Sequence, residues 1–178
     1  MESTLVILKP DAVERGLVGE ILSRFERLGL TIGRLEQRVA STDLLDQHYP
    51  SDPVWLGTVG QKTLDDYDKQ GLDAAEHLGT SDPVEIGRMV KGWLVDFMSA
   101  GPIVVGVLTG NRCVEVVRKA VGATLPVLAA PGTIRGDCST DSPDAANAER
   151  RPIKNLVHAS GDPDEAAREI KLWFSDFH

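Results

Sequence analysis

The chain has 178 residues, 42% of them hydrophobic and 26% charged, with a formal net charge of −8. That length suits one domain with elaborations. The acidic balance excludes a general nucleic-acid binder, which needs a basic excess, and no apolar run approaches the length of a membrane span.

Thr4 to Leu8 is a short β-rich apolar run ending at Lys9-Pro10-Asp11, which predicts a central strand. Val18, Ile21, Leu22, Phe25 and Leu28 recur at helical spacing and are closed by Gly29. Leu30 to Val39 alternates imperfectly and reads as a second strand, and Ser41 or Thr42 can cap a short helix through Tyr49. Residues 50 to 83 break the rhythm with prolines, glycines and the acids Asp65, Asp66 and Asp68, and read as an inserted, partly helical excursion. Helical spacing returns over Val84 to Met98 and stops at Ser99-Ala100-Gly101-Pro102. Ile103 to Leu108 predicts a strand, and Asn111 is placed to cap a helix carrying Val114, Val117 and Val121. Ala129 to Asp137 reads as a loop, and the polar residues 138 to 152 as an exposed stretch. Leu156 and Val157 end a last buried strand, and Asp162-Pro163-Asp164-Glu165 signals a helix start. The order of elements predicts an α+β fold: one antiparallel sheet with helices packed on it.

Met1-Glu2-Ser3-Thr4 lacks the basic-then-apolar pattern of a signal peptide. Cys113 and Cys138 give neither a disulfide framework nor a metal spacing, so a reduced, cytoplasmic setting is expected. Gly57-Thr58-Val59-Gly60-Gln61-Lys62-Thr63 imitates a phosphate-binding loop, but its lysine does not follow the glycine and no strong strand precedes it. A solvated loop is expected there. Arg135-Gly136-Asp137 has no role as an adhesion tripeptide in such a chain.

What remains is a set of polar residues at strand ends and helix starts: Lys9, Arg118, Thr124, Arg135, Asn155, His158 and, eleven residues after the histidine, Glu169. His158 falls between a strand and a helix N-terminus, where backbone N–H groups and the positive dipole end favour an anion. A neutral imidazole at that point can act as a nitrogen nucleophile.

These residues lie in TLVILKPDAVERGLVGEI, SAGPIVVGVL, VEVVRKAVGAT, AAPGTIRGD, NLVH and EAAREIKLWF, in that order. Together they closely resemble the nucleoside diphosphate kinase family, over Met1 to about Tyr49 and about Trp93 to Trp173. The resemblance implies a ferredoxin-like α/β sandwich on a four-stranded antiparallel sheet, as one domain with insertions at about 50–88 and 138–151. It implies transfer of the γ-phosphate of ATP to a nucleoside diphosphate by a ping-pong route through a phosphohistidine on His158. In that pattern Arg118 and Thr124 contact the β-phosphate and Arg135 the transferring phosphate. Lys9 and Asn155 bind sugar hydroxyls, with Lys9 also near the phosphates, and Tyr49 hydrogen-bonds close to the transferring group. Glu169 and Ser160 hold the imidazole in its productive orientation. Val90 and Leu94 match the positions that clamp the base, with Trp93 or Met89 as substitutes for the aromatic usual at Val90. Mg²⁺ arrives with the nucleotide rather than on a protein site, and a homo-oligomer, tetramer or hexamer, is expected, with no membrane or specific nucleic-acid partner. Two departures stand out. Ala159 replaces a glycine beside the nucleophile, where strain is expected if the turn needs unusual dihedrals, and the aspartate that follows comes one residue late, at Asp162. They motivate a second reading, a weakened nucleotide sensor or scaffold on the same fold, with the insertions as its binding surfaces.

Overall fold

A computed structural model of the chain describes residues 1–177. Its centre is an antiparallel sheet of four strands: β1 (Glu2–Leu8), β2 (Thr31–Val39), β3 (Pro102–Gly110) and β4 (Val157–Ala159), in the spatial order β2-β3-β1-β4. β1 is apolar without alternation because both of its faces are covered. Val6 and Leu8 face one layer, built by α2 (Val18–Arg27) and α7 (Cys113–Val121) around Ile21, Phe25 and Val117. Leu5 and Ile7 face the other, where α3 (Thr42–His48), α6 (Pro83–Ser99) and α10 (Pro163–Trp173) supply Leu45, Met98 and Trp173. β2 lies at the edge, and its residues alternate between exposed and half-buried. This is the α+β arrangement expected from the order of elements, in the ferredoxin-like form that the resemblance implies.

The first insertion is more regular than its composition suggests. It forms α4 (Pro53–Gln70) and α5 (Ala74–Leu78), and the stretch Gly57 to Thr63, expected as a solvated loop, lies inside α4. Asp52 caps that helix by accepting from the Trp55 N–H at 2.9 Å. The glycines mark a close helix crossing: a Cβ on Gly60 would stand 1.8 Å from the Pro83 carbonyl oxygen, and one on Gly87 2.1 Å from that of Leu56. Tertiary contact with α6 thus overrides the weak helix propensity of the two residues.

Residues 138–152, expected to be exposed, fold into α9 (Pro143–Ala148), which buries Ala146 and Asn147. This segment is joined to the one after α4: Arg150 Nη2 donates to the His77 carbonyl at 2.6 Å, and the His77 ring bonds the buried Tyr67 hydroxyl, also at 2.6 Å. Asn111 does not cap α7. Arg112 takes that position at φ 48°, and the Val114 N–H donates to Glu2 Oε2 at 3.0 Å, so a carboxylate from the start of β1 meets the positive end of the helix. The expected loop at 129–137 includes the start of α8 (Ile134–Cys138), capped by Thr133, which accepts from the Gly136 N–H at 3.1 Å. No helix among the described residues is long and apolar enough to cross a membrane.

Candidate active site

Four segments distant in sequence meet at the turn before β4. Leu156 sits at φ 68°, and the Val157 N–H donates to the Asn155 carbonyl at 2.8 Å, a tight three-residue turn in a region that L-residues rarely adopt. Three contacts over-determine it. The Leu156 N–H donates to Asp11 Oδ2 at 3.1 Å, the Leu156 carbonyl accepts from the Lys9 N–H at 2.8 Å, and Arg135 grips it from behind. Arg135 donates to the carbonyls of Asn155 (3.0 Å), Gly122 (3.0 Å) and Val157 (2.6 Å). Strain therefore falls on Leu156 rather than on Ala159, which pairs with Val6 in regular strand and has no positive φ.

The turn presents His158. Its Nε2 lies 3.0 and 2.9 Å from the two oxygens of Glu169, and Ser160 Oγ donates to Glu169 Oε2 at 2.7 Å. Glu169 is 1% exposed. Burial pushes its pKa up, but the hydrogen bonds and charge of His158 outweigh that and hold it below the usual carboxylate range. An ionised carboxylate only accepts, so Nε2 must carry the ring proton and Nδ1 keeps the lone pair. The structure thus brings Glu169 and Ser160 together at the Nε2 end of the His158 ring.

A residue the sequence reading missed completes this layer. His48, at the end of α3, is 2% exposed and packs edge-on against the His158 ring at 4.6 Å. Trp173 Nε1 donates to His48 Nδ1 at 3.2 Å, which fixes the neutral tautomer, and burial followed by the nearby His158 pushes its pKa down to about 3. The 3.4 Å approach of Glu169 to that same nitrogen is then a contact between two acceptors and not an ion pair. Only the neighbouring Tyr49 hinted at this histidine, since its other partners lie in β4 and α10. Tyr49 itself is buried, with its ring edge-on to His48 at 4.8 Å, and burial raises its phenol pKa.

Beside the histidine, Lys9 Nζ donates to Asn155 Oδ1 at 2.7 Å, and Asn155 Nδ2 donates to the Thr124 carbonyl at 2.9 Å. Burial, reinforced by Arg135, lowers the Lys9 pKa to about 8, and burial with Arg118 lowers that of Arg135 to about 10. Arg118 is exposed and lies past the other end of β4: its Nη1 is 3.8 Å from where a Cβ on Gly161 would stand. Asp162 acts as the cap of α10, accepting from the Glu165 N–H at 2.8 Å. Thr124, Val90 and Leu94 line a cavity of about 440 Å³, together with Trp93 and residues of α4 and α9. Arg118 lies outside it, in a separate depression with Gly161 and Pro163, and Met89 is not among the lining residues. The arrangement therefore offers an oriented imidazole nitrogen, Lys9 and Arg135 at one turn, and a largely apolar cavity lined by Thr124. Glu169 is already bonded to His158 and Ser160, and Asp11 bonds the Leu156 N–H through one oxygen while the other, buried, has no partner. This donor set suits a divalent ion carried by a polyphosphate better than a protein-held one.

The family model for nucleoside diphosphate kinase matches residues 2–53 and 85–178. The chain is 57% identical over 176 residues to the nucleoside diphosphate kinase of Pyrobaculum aerophilum, covering 99% of this chain and 96% of that protein. It is 39% identical to that of Streptococcus pneumoniae, covering 98% and 100%. Among solved structures, an NDP kinase from P. aerophilum superposes with a TM-score of 0.96 at 55% identity, covering 98% of this chain and 96% of that one. A transition-state mimic of the Borrelia burgdorferi enzyme with bound vanadate and ADP gives 0.76 at 36% identity, covering 98% and 88%. With matches spanning almost its whole length, and with a histidine oriented by a buried carboxylate, the chain belongs to the nucleoside diphosphate kinase family.

Proposed function

We propose that the chain transfers the γ-phosphate of ATP to nucleoside diphosphates in two half-reactions through a phosphohistidine on His158. The observation that carries this is the approach of both Glu169 oxygens to His158 Nε2, at 3.0 and 2.9 Å, which puts the proton of the neutral ring there and leaves Nδ1 as the attacking atom. In the first half-reaction the Nδ1 lone pair forms a bond to the γ-phosphorus as the bond from that phosphorus to the β–γ bridging oxygen breaks, and ADP departs. In the second, a terminal oxygen of the incoming diphosphate attacks the same phosphorus and the P–N bond breaks. The P–N bond keeps the phosphoryl group at high transfer potential, so the two steps are nearly balanced.

Phosphoryl transfer needs positioning and charge neutralisation more than covalent help. In this reading Lys9 and Arg135 serve the phosphates with the N–H groups left over from their contacts to Asn155, Gly122 and Val157. Arg118 and Thr124 take the β-phosphate, Lys9 and Asn155 the sugar hydroxyls, and Tyr49 the neighbourhood of the transferring group. Val90 and Leu94 clamp the base in the cavity they line. Mg²⁺ would travel with the nucleotide, held by its phosphates and not by a protein group, and would screen their charge. The same reading treats the chain as one domain with insertions at about 50–88 and 138–151, working in the cytoplasm, where its free cysteines stay reduced. It also makes the protein a homo-oligomer: Leu35 and Val39 are exposed on the edge strand β2, a surface suited to covering by a second copy. Incubation with γ-labelled ATP should give an acid-labile, base-stable label that His158→Ala abolishes. Label persisting in that variant would place the nucleophile elsewhere.

A further inference from the structure

The cavity lined by Thr124, Val90 and Leu94 has a wall that base-clamping positions do not supply. Val59, Lys62, Thr63 and Asp66 of α4 line it on one side, and Asn147 of α9 lines both it and a neighbouring depression with Tyr67 and His77. Most of α4 falls in the stretch between residues 53 and 85, which the family model skips. A slot that only stacks a base needs apolar faces, and it leaves the hydrogen-bonding edge of the base to water. Asn147 is 8% exposed, and its Nδ2 has no hydrogen-bond partner. A buried amide N–H without an acceptor is costly until a ligand supplies one. Nearby acids do not, because Asp66 pairs with Lys69 and Asp141 with Arg151.

Resting on the reading that this cavity holds the nucleoside, we propose that Asn147 donates to a ring carbonyl of the bound base and makes the enzyme select oxo bases over amino bases. Guanine O6 and uracil O4 are acceptors on the edge where adenine and cytosine present amino donors. With an amino base, two donors would face each other in a space with little room for water. The α4–α9 wall would thus add base discrimination to a site whose clamp is indifferent to base identity.

The test is steady-state phosphotransfer from ATP by the full chain, with GDP, IDP, ADP, UDP and CDP as acceptors and exchange into ADP followed by isotope. We expect kcat/KM for GDP and IDP to exceed that for ADP, and UDP to exceed CDP, by roughly five- to tenfold. Asn147→Leu should bring both ratios towards one, and Asn147→Asp, which replaces the donor by an acceptor, should reverse them. Ratios within one protein cancel any general loss of activity or folded fraction, and the wild-type ratios stand even if a variant fails to fold. Equal kcat/KM across the acceptors overturns base selection while phosphotransfer stands. A preference for ADP and CDP, as an amide turned end for end would give, also overturns it. Absence of transfer to every acceptor overturns both this inference and the reading beneath it.

Discussion

Glu169 touches His158 at one nitrogen only, and this decides which end of the ring can meet a phosphate. In Glu169→Gln the side chain can donate as well as accept, so the ring loses its reason to keep the proton on Nε2. We expect the rate of phosphoenzyme formation to fall by about 10²-fold or more, a size typical of a misassigned tautomer or lost general-base geometry, with the fold retained. Rapid-quench labelling beside circular dichroism measures both. Lys9 gives a second expectation. Its pKa of about 8 makes it an ammonium below that pH and a neutral amine above it. A bound polyphosphate favours the charged form, so the loss belongs to the free enzyme. The value of kcat/KM for ATP should decline above pH 8 while kcat holds, and Lys9→Ala should remove that break from the profile. Most of these residues were legible because their types and order carry the chemistry. His48 was not: a histidine closing a short amphipathic helix reads as a partner for the helix dipole, and its hydrogen bond comes from Trp173, 125 residues away.

At the scale of elements, strands and helices with a continuous or 3.6-residue apolar period could be read directly, as β1, α2 and α7 illustrate. Failures came where distant contact decides. Gly57 and Gly60 look like loop residues until α6 is laid against them, and Asn111 looks like a cap until Glu2 arrives from the other end of the chain. The α4–α6 crossing makes a sharp expectation. Ala is the better helix former, yet Gly60→Ala forces a methyl group to within 1.8 Å of the Pro83 carbonyl oxygen unless the helices part. We expect a destabilisation of about 1–3 kcal/mol, seen as a fall in Tm of roughly 2–4 °C for each kcal/mol in a domain of this size. An unchanged Tm would mean that the two helices do not cross so closely. Gly71→Ala is a useful companion, since its cost would come from the positive φ of 68° and not from crowding.

For the molecule as a whole, a net charge of −8 coexists with buried cations at the turn before β4, Lys9 and Arg135, so any attraction of a polyphosphate there is local and not a property of the entire surface. The way the chain encloses the cavity lined by Val90 and Leu94 was not legible in the sequence, because it depends on α4 and α9 meeting in space. The joint between their two segments has an engineering corollary. The ring of His77, after α4, holds Tyr67, while its carbonyl receives Arg150, after α9. A variant that deleted either segment alone would leave a guanidinium or a carbonyl unanswered and strip the cover from Asn147. The two should therefore be removed, or transplanted, together.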